Sequence, residues 1–211
     1  NSSTAGVCLV GVNKINSLGI PLPLNTYGIF ERGTDKELKY GEEGEICITG
    51  PTEMLGYLDN EEEEGKVIKI HSDGKKWIHS EDVGIIDEDG FLFFKGRYKR
   101  LIPHGGFKLY PSYIEGIIMK HPNIDNCCVI SIPDKVYGAS PEAHVVIKKD
   151  SVSELKKLKE ELIKLCQDKL PSYSQPEDFI FEEDLPLTSV GKVDYKKVEK
   201  MRIKKLEEST K

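Results

Sequence analysis

Leu185-Pro186-Leu187-Thr188-Ser189-Val190-Gly191-Lys192-Val193-Asp194-Tyr195 decides how this chain is read. A proline and a glycine, both turn formers, frame a single lysine just ahead of a basic stretch of helical character. A lysine held on a tight turn can reach a developing phosphate charge. A lysine in mid-helix on a solvated face does not. Read alone, the stretch is equally a turn lysine beside Asp194. Upstream lies Asp87-Glu88-Asp89-Gly90, a strong hairpin signal between the β-type runs Val83–Ile86 and Phe91–Lys95.

The bulk composition narrows the class. The 211 residues are enough for one or two small domains with a real core. Thirty Lys and Arg against 36 Asp and Glu give a net charge of −6, which argues against nucleic-acid binding, since a phosphate backbone needs a basic face. No apolar run approaches the roughly 20 residues of a membrane span, and no signal peptide is visible. The cysteines are Cys8, Cys47, Cys127, Cys128 and Cys166, odd in number and without a C-x-x-C pair. Reduced thiols and a cytoplasmic setting fit that pattern. His71, His79, His121 and His144 have no metal-type spacing, so no metal site is expected. The chain opens on Asn1, which reads as a piece of a longer polypeptide.

Along the chain the periodicity changes. Thr26–Glu31, Gly44–Thr49 and Val67–Ile70 read as short strands, consistent with a barrel-like or sandwich sheet. The acidic run Glu61–Glu64 reads as a solvated loop or a helix start. Beyond residue 100, Ser112 looks like the cap of a helix with Ile114, Ile117, Ile118 and Met119 as its apolar stripe. Cys127–Ile132, Ala143–Ile147 and Phe179–Phe181 read as strands. Leu155, Leu158, Leu162, Ile163 and Cys166 follow helical spacing, with a start at Ser151 or Ser153, and Tyr195–Glu208 reads as a basic helix. The expected fold class is α+β.

Several blocks carry a resemblance. They are Leu18-Gly19-Ile20-Pro21-Leu22-Pro23, Gly44–Pro51, Met54–Leu58, Trp77–Gly84, Gly96-Arg97-Tyr98-Lys99, Phe107–Pro111, Leu170–Tyr173 and Pro186–Tyr195. In this order and spacing the chain resembles the C-terminal portion of the acyl-adenylate-forming enzymes, the superfamily of acyl-CoA synthetases, luciferases and peptide-synthetase adenylation domains. The resemblance implies that residues 1–96 are the tail of a large domain, part of its distorted β-barrel, and that residues 97–211 are a mobile α+β lid. It implies ATP with Mg²⁺ and coenzyme A as cofactor and co-substrate, a carboxylic acid as substrate, and Mg²⁺ ligands that lie upstream. The family's phosphate-binding loop is not in this chain, so these residues alone are expected to be inactive.

The resemblance also distributes roles. Asp82 would accept hydrogen bonds from the ATP ribose, with Arg97 beside it on ribose or phosphate oxygen. Without the resemblance, Asp82 is a turn or strand-end aspartate and Arg97 a surface arginine paired with Asp87 or Asp89. Lys99 would be the hinge; otherwise it is a solvated lysine. Gly105, Gly106 and Phe107 would line the tunnel for the incoming thiol; otherwise the glycines make a plain turn. Lys192 would be catalytic, bridging the oxygens that gain charge as a carboxylate attacks the α-phosphorus. Ser80-Glu81 stands where the family carries Thr-Gly, and Pro103 where a lysine is common in CoA ligases. His104 reads as an exposed loop histidine. The expected activity is acid–CoA ligation. The alternatives are a peptide-synthetase-type domain that loads a carrier protein and a non-catalytic interaction module.

Overall fold

A computed structural model of the chain describes residues 11–149 and 154–209. It divides into two compact units, Asn1–Lys99 and Arg100–Lys211.

The first unit is built on an open antiparallel sheet. Its strands are β1 (Thr26–Phe30), β2 (Gly44–Thr49), β3 (Ile68–Ile70), β4 (Lys76–Ile86) and β5 (Leu92–Arg97), with helix α1 (Glu61–Val67) ahead of β3. β4 is long enough to pair with β2, β3 and β5, so it organises the unit. The sheet does not close into a barrel among the described residues. Alternation buries Tyr27, Ile29, Ile46, Ile86 and Leu92 in one core and Phe30, Cys47 and Trp77 in another. The β4–β5 loop is held as its residues dictate. Asp87 Oδ1 accepts from the backbone N–H of Asp89 and Phe91, Gly90 takes φ +83°, and Lys14 pairs with both Asp87 and Asp89. Arg97 is therefore not the partner of these aspartates. The acidic run Glu61–Glu64 is the first turn of α1, capped by Asn60, where negative charge suits the positive end of the helix.

The second unit opens with a small hairpin, β6 (Ile102–His104) and β7 (Phe107–Leu109), and continues through α2 (Pro111–Ile118), β8 (Ile124–Asp134), β9 (Gly138–Ile147), α3 (Leu155–Lys169), β10 (Asp178–Glu182) and α4 (Tyr195–Ser209). Its sheet runs β10-β9-β8, with β10 parallel and β8 antiparallel to β9. Both faces are covered. Cys127 and Val129 join residues of α2 and α3 in one core, while Cys128 and Ile130 join Leu185 and Val198 of α4 in another. Burial on both faces explains the unbroken apolar run at 127–130.

Two helix readings need correction. Ser112 does not cap α2: Tyr110 occupies the cap position, its side chain makes no capping hydrogen bond, and Pro111 opens the helix with the φ that proline already has. The α3 stripe is narrower than its sequence spacing, because Leu158, Leu162 and Cys166 are buried while Leu155 and Ile163 are exposed. The proposed starts at Ser151 and Ser153 lie outside the described residues.

Candidate active site

The block around Asp82 owes its shape to a β-bulge. β2 and β4 pair as Cys47↔His79 and Glu45↔Val83, so Ile46 alone faces Ser80, Glu81 and Asp82. Glu81 takes φ +59°, a conformation that glycine adopts without strain and other residues rarely do. Side chains stabilise the bulge. Ser80 Oγ donates to Ile46 O at 2.7 Å and accepts from Asp82 N at 3.1 Å, and Glu45 Oε1 accepts from Glu81 N at 3.1 Å.

Asp82 then stands opposite Arg97 across β4–β5. Arg97 Nε lies 2.8 Å from Asp82 Oδ1, close enough to pair in charge. The oxygen is nevertheless buried and receives no hydrogen bond of good geometry. Burial raises the Asp82 carboxyl above the usual aspartate range, and the neighbouring guanidinium pulls against that shift without reversing it. A half-buried carboxylate ion-paired with a planar cation fits a ligand that offers hydroxyl donors and anionic oxygens, as a nucleotide ribose and phosphate do. Arg97 itself is more than half exposed. Lys99, the last residue of the first unit, pairs with Glu81 Oε2 at 2.6 Å rather than standing free in solvent.

Gly105 and Gly106 form the β6–β7 turn at φ +54° and +88°. A side chain at Gly106 would meet nothing within 4 Å, so backbone conformation and not space selects glycine there. Phe107 stacks on Tyr173 at 4.1 Å, and both rings remain partly exposed. His104 departs from its sequence reading: it is buried, its Nδ1 lies 2.8 Å from Ala139 O, and its ring packs against Tyr137. Its partners come from the far side of the β8–β9 turn, which no local pattern announces.

Lys192 is exposed on a closed loop between β10 and α4. Leu187 and Val193 form an antiparallel bridge at the loop's neck. Within it, Thr188 N donates to Lys192 O, Lys192 N to Thr188 Oγ1 and Gly191 N to Thr188 O, with Gly191 at φ +76°. Asp194 Oδ1 accepts from Lys197 N and so caps α4. The loop thus presents one exposed ammonium group just inside its neck.

One group has the chemistry of a metal site. Ligand atoms of Glu45, Cys47 and His79, all buried, lie within 4.8 Å of one another. Strand register brings them together, which is why spacing along the sequence missed them. Internal bonds already occupy the carboxylate. Glu45 Oε2 faces His79 Nδ1 at 3.0 Å and accepts from Gly33 N, and Oε1 holds Glu81. His79 Nε2 faces His71 Nε2 at 2.9 Å. In this arrangement Glu45 and His79 support the Asp82 bulge.

Residues 113–192, from the start of α2 to the loop lysine, match the AMP-binding enzyme C-terminal domain. Over these residues the chain belongs to the AMP-binding enzyme C-terminal domain family. It is 33% identical over 191 residues to a long-chain-fatty-acid–CoA ligase of Escherichia coli O157:H7, covering 88% of this chain and 32% of that protein. It is 36% identical over 182 residues to a 2-succinylbenzoate–CoA ligase of Bacillus licheniformis, covering 86% of this chain and 35% of that protein. Among solved structures, an o-succinylbenzoate CoA synthetase from Bacillus subtilis in complex with its acyl-adenylate intermediate matches with a TM-score of 0.76 at 29% identity, over 88% of this chain and 36% of that one. The chain therefore spans about a third of the length of the adenylate-forming relatives it matches. No helix among the described residues is long and apolar enough to cross a membrane.

Proposed function

We propose that the protein carrying this chain is an acid–CoA ligase that works through an acyl-adenylate. The observation that carries this reading is the identity, over 86–88% of the chain, to proteins named as acid–CoA ligases. The Asp82–Arg97 pair and the exposed turn lysine supply matching chemistry.

In the first half-reaction a carboxylate oxygen attacks the α-phosphorus of ATP. The new P–O bond forms as the bond to pyrophosphate breaks. Asp82 and Arg97 hold the nucleotide, and the Lys192 ammonium stabilises charge that is larger in the transition state than in the ground state. In the second, the CoA sulfur, its proton lost, attacks the acyl carbon, and the bond to AMP breaks. Lysine and thiol cannot occupy one place, so the lid, the second unit Arg100–Lys211, turns about Lys99 between the steps and brings Gly105, Gly106 and Phe107 to the thiol path. Mg²⁺ accompanies the ATP polyphosphate and takes no ligand assigned in this chain. Free thiols, ATP and CoA together suit a cytoplasmic setting.

The test uses the full-length protein with MgATP and a panel of carboxylic acids, with and without CoA. AMP release that needs one acid class and CoA, and falls by about 10²–10³ in Lys192→Ala, is the expected result. Acid-dependent pyrophosphate release with no acyl-CoA formed when CoA is present would move the acceptor to a carrier protein. No acid-dependent turnover would sink the enzymatic reading. The isolated 211 residues are expected to release no pyrophosphate.

A further inference from the structure

The loop that carries Lys192 meets the core only at its root, through Leu185 and Val193, and is otherwise held by its own hydrogen bonds. Leu187 and Val190 are exposed, and only Leu185, at its root, is buried. What fixes the direction of the loop must therefore act on its two stems, β10 and α4.

Both stems meet at His144. This histidine, on β9, is 2% exposed. Its Nδ1 lies 2.9 Å from Oε1 of Glu182, the last residue of β10. Its Nε2 lies 3.1 Å from Oε1 of Glu142, which is equally buried. Glu142 in turn receives both Nε and Nη2 of Arg202, at 2.7 and 2.8 Å, two turns into α4. One ring on a central strand is thus tied to the chain just before the loop and just after it.

Apolar packing does not hold this joint alone. Val198 is the one buried residue of α4 among those described. At the junction of loop and helix there is a cleft of about 60 Å³, partly open to solvent and bordered by His144, Leu185, Pro186, Val198, Met201 and Arg202. The charged network spans a joint that stays partly open to solvent. Buried ion pairs contribute little net stability on average, and setting register is the use best attested for them.

We propose that His144 is a positioning residue for Lys192, acting through Glu182 on one stem and through the Glu142–Arg202 pair on the other. The proposal rests on the ligase reading above. It gives the network a role in only one of the two half-reactions, because Lys192 acts in adenylation and not in thioester formation.

That asymmetry supplies the test. In the full-length protein, His144→Phe removes both links, and the double variant Glu142→Leu/Arg202→Met removes the pair without leaving an unpaired buried charge. Adenylation is followed as acid-dependent pyrophosphate release, and thioester formation from supplied acyl-AMP and CoA. Adenylation is expected to fall about tenfold or more in each variant, since misplacement by about 1 Å costs up to 10²-fold. Thioester formation should stay within about twofold of wild type. Equal loss in both half-reactions, or adenylation unchanged in the double variant, overturns the proposal. If His144→Phe fails to fold by circular dichroism, the same two outcomes are read from the double variant alone. Wild-type protein that makes no acyl-adenylate, or Lys192→Ala that makes it normally, overturns the ligase reading itself and the positioning role with it.

Discussion

At position 82 the fold keeps a carboxylate where burial works against its charge. A carboxyl whose folded pKa is raised costs the fold stability once pH climbs past its unfolded value, and the full cost is present above the folded value. Asp82→Asn should therefore raise the urea midpoint at pH 7 while raising the KM for ATP about tenfold or more, since an amide offers one acceptor where the carboxylate offers two. A lower midpoint with unchanged KM would mean that Asp82 is structural. Glu81 tests the neighbouring bulge. At φ +59°, Glu81→Val should cost about 1–2 kcal/mol more than Glu81→Gly in urea unfolding, because a β-branched residue is strained there. Asp82 and Lys192 could be singled out from the sequence because each sits in a recognisable block. Glu45 and His79 could not, because they support the bulge through a cross-strand register that only the folded sheet defines. His104 misled for the same reason: its two neighbouring glycines suggest an open loop, and its partners are more than thirty residues away.

The helices divide by how they are held. α3 packs through Leu158, Leu162 and Cys166, spaced four apart, so Leu162→Ala should cost about 2–5 kcal/mol, whereas Leu155→Ala on its exposed edge should stay within about 0.5 kcal/mol. Chemical denaturation of the two variants checks this. α4 relies on charge. Burial alone would raise the Glu142 carboxyl, but hydrogen bonds from His144 and Arg202 outweigh it and bring the group down to about 2. A carboxyl depressed in this way contributes stability that is fully present above its ordinary value of 4.5 and is lost as pH falls toward about 2. Acid titration of the second unit's circular dichroism should show a loss in that window that is shallower in Glu142→Leu/Arg202→Met. Strands and helices were largely legible from apolar periodicity. Helix starts were less so, since at α2 proline geometry replaced the side-chain cap that Ser112 seemed to offer.

Each of the two units has its own apolar cores. Calorimetry should resolve two transitions, and Leu162→Ala should move only one of them. The α+β class and the order of blocks were visible in the sequence, whereas the openness of the first sheet was not, because closure depends on which strands reach β4. The buried cysteines extend this division. Cys47 lies in the first unit, and Cys127, Cys128 and Cys166 lie in the second. Burial pushes all four thiols up, Cys128 to about 12 and Cys166 to about 11, so the native protein offers almost no thiolate at these positions. Each thiol becomes an alkylation target only when its own unit opens. Pulsed iodoacetamide followed by peptide mass analysis would then time the opening of each half separately, with no residue substituted.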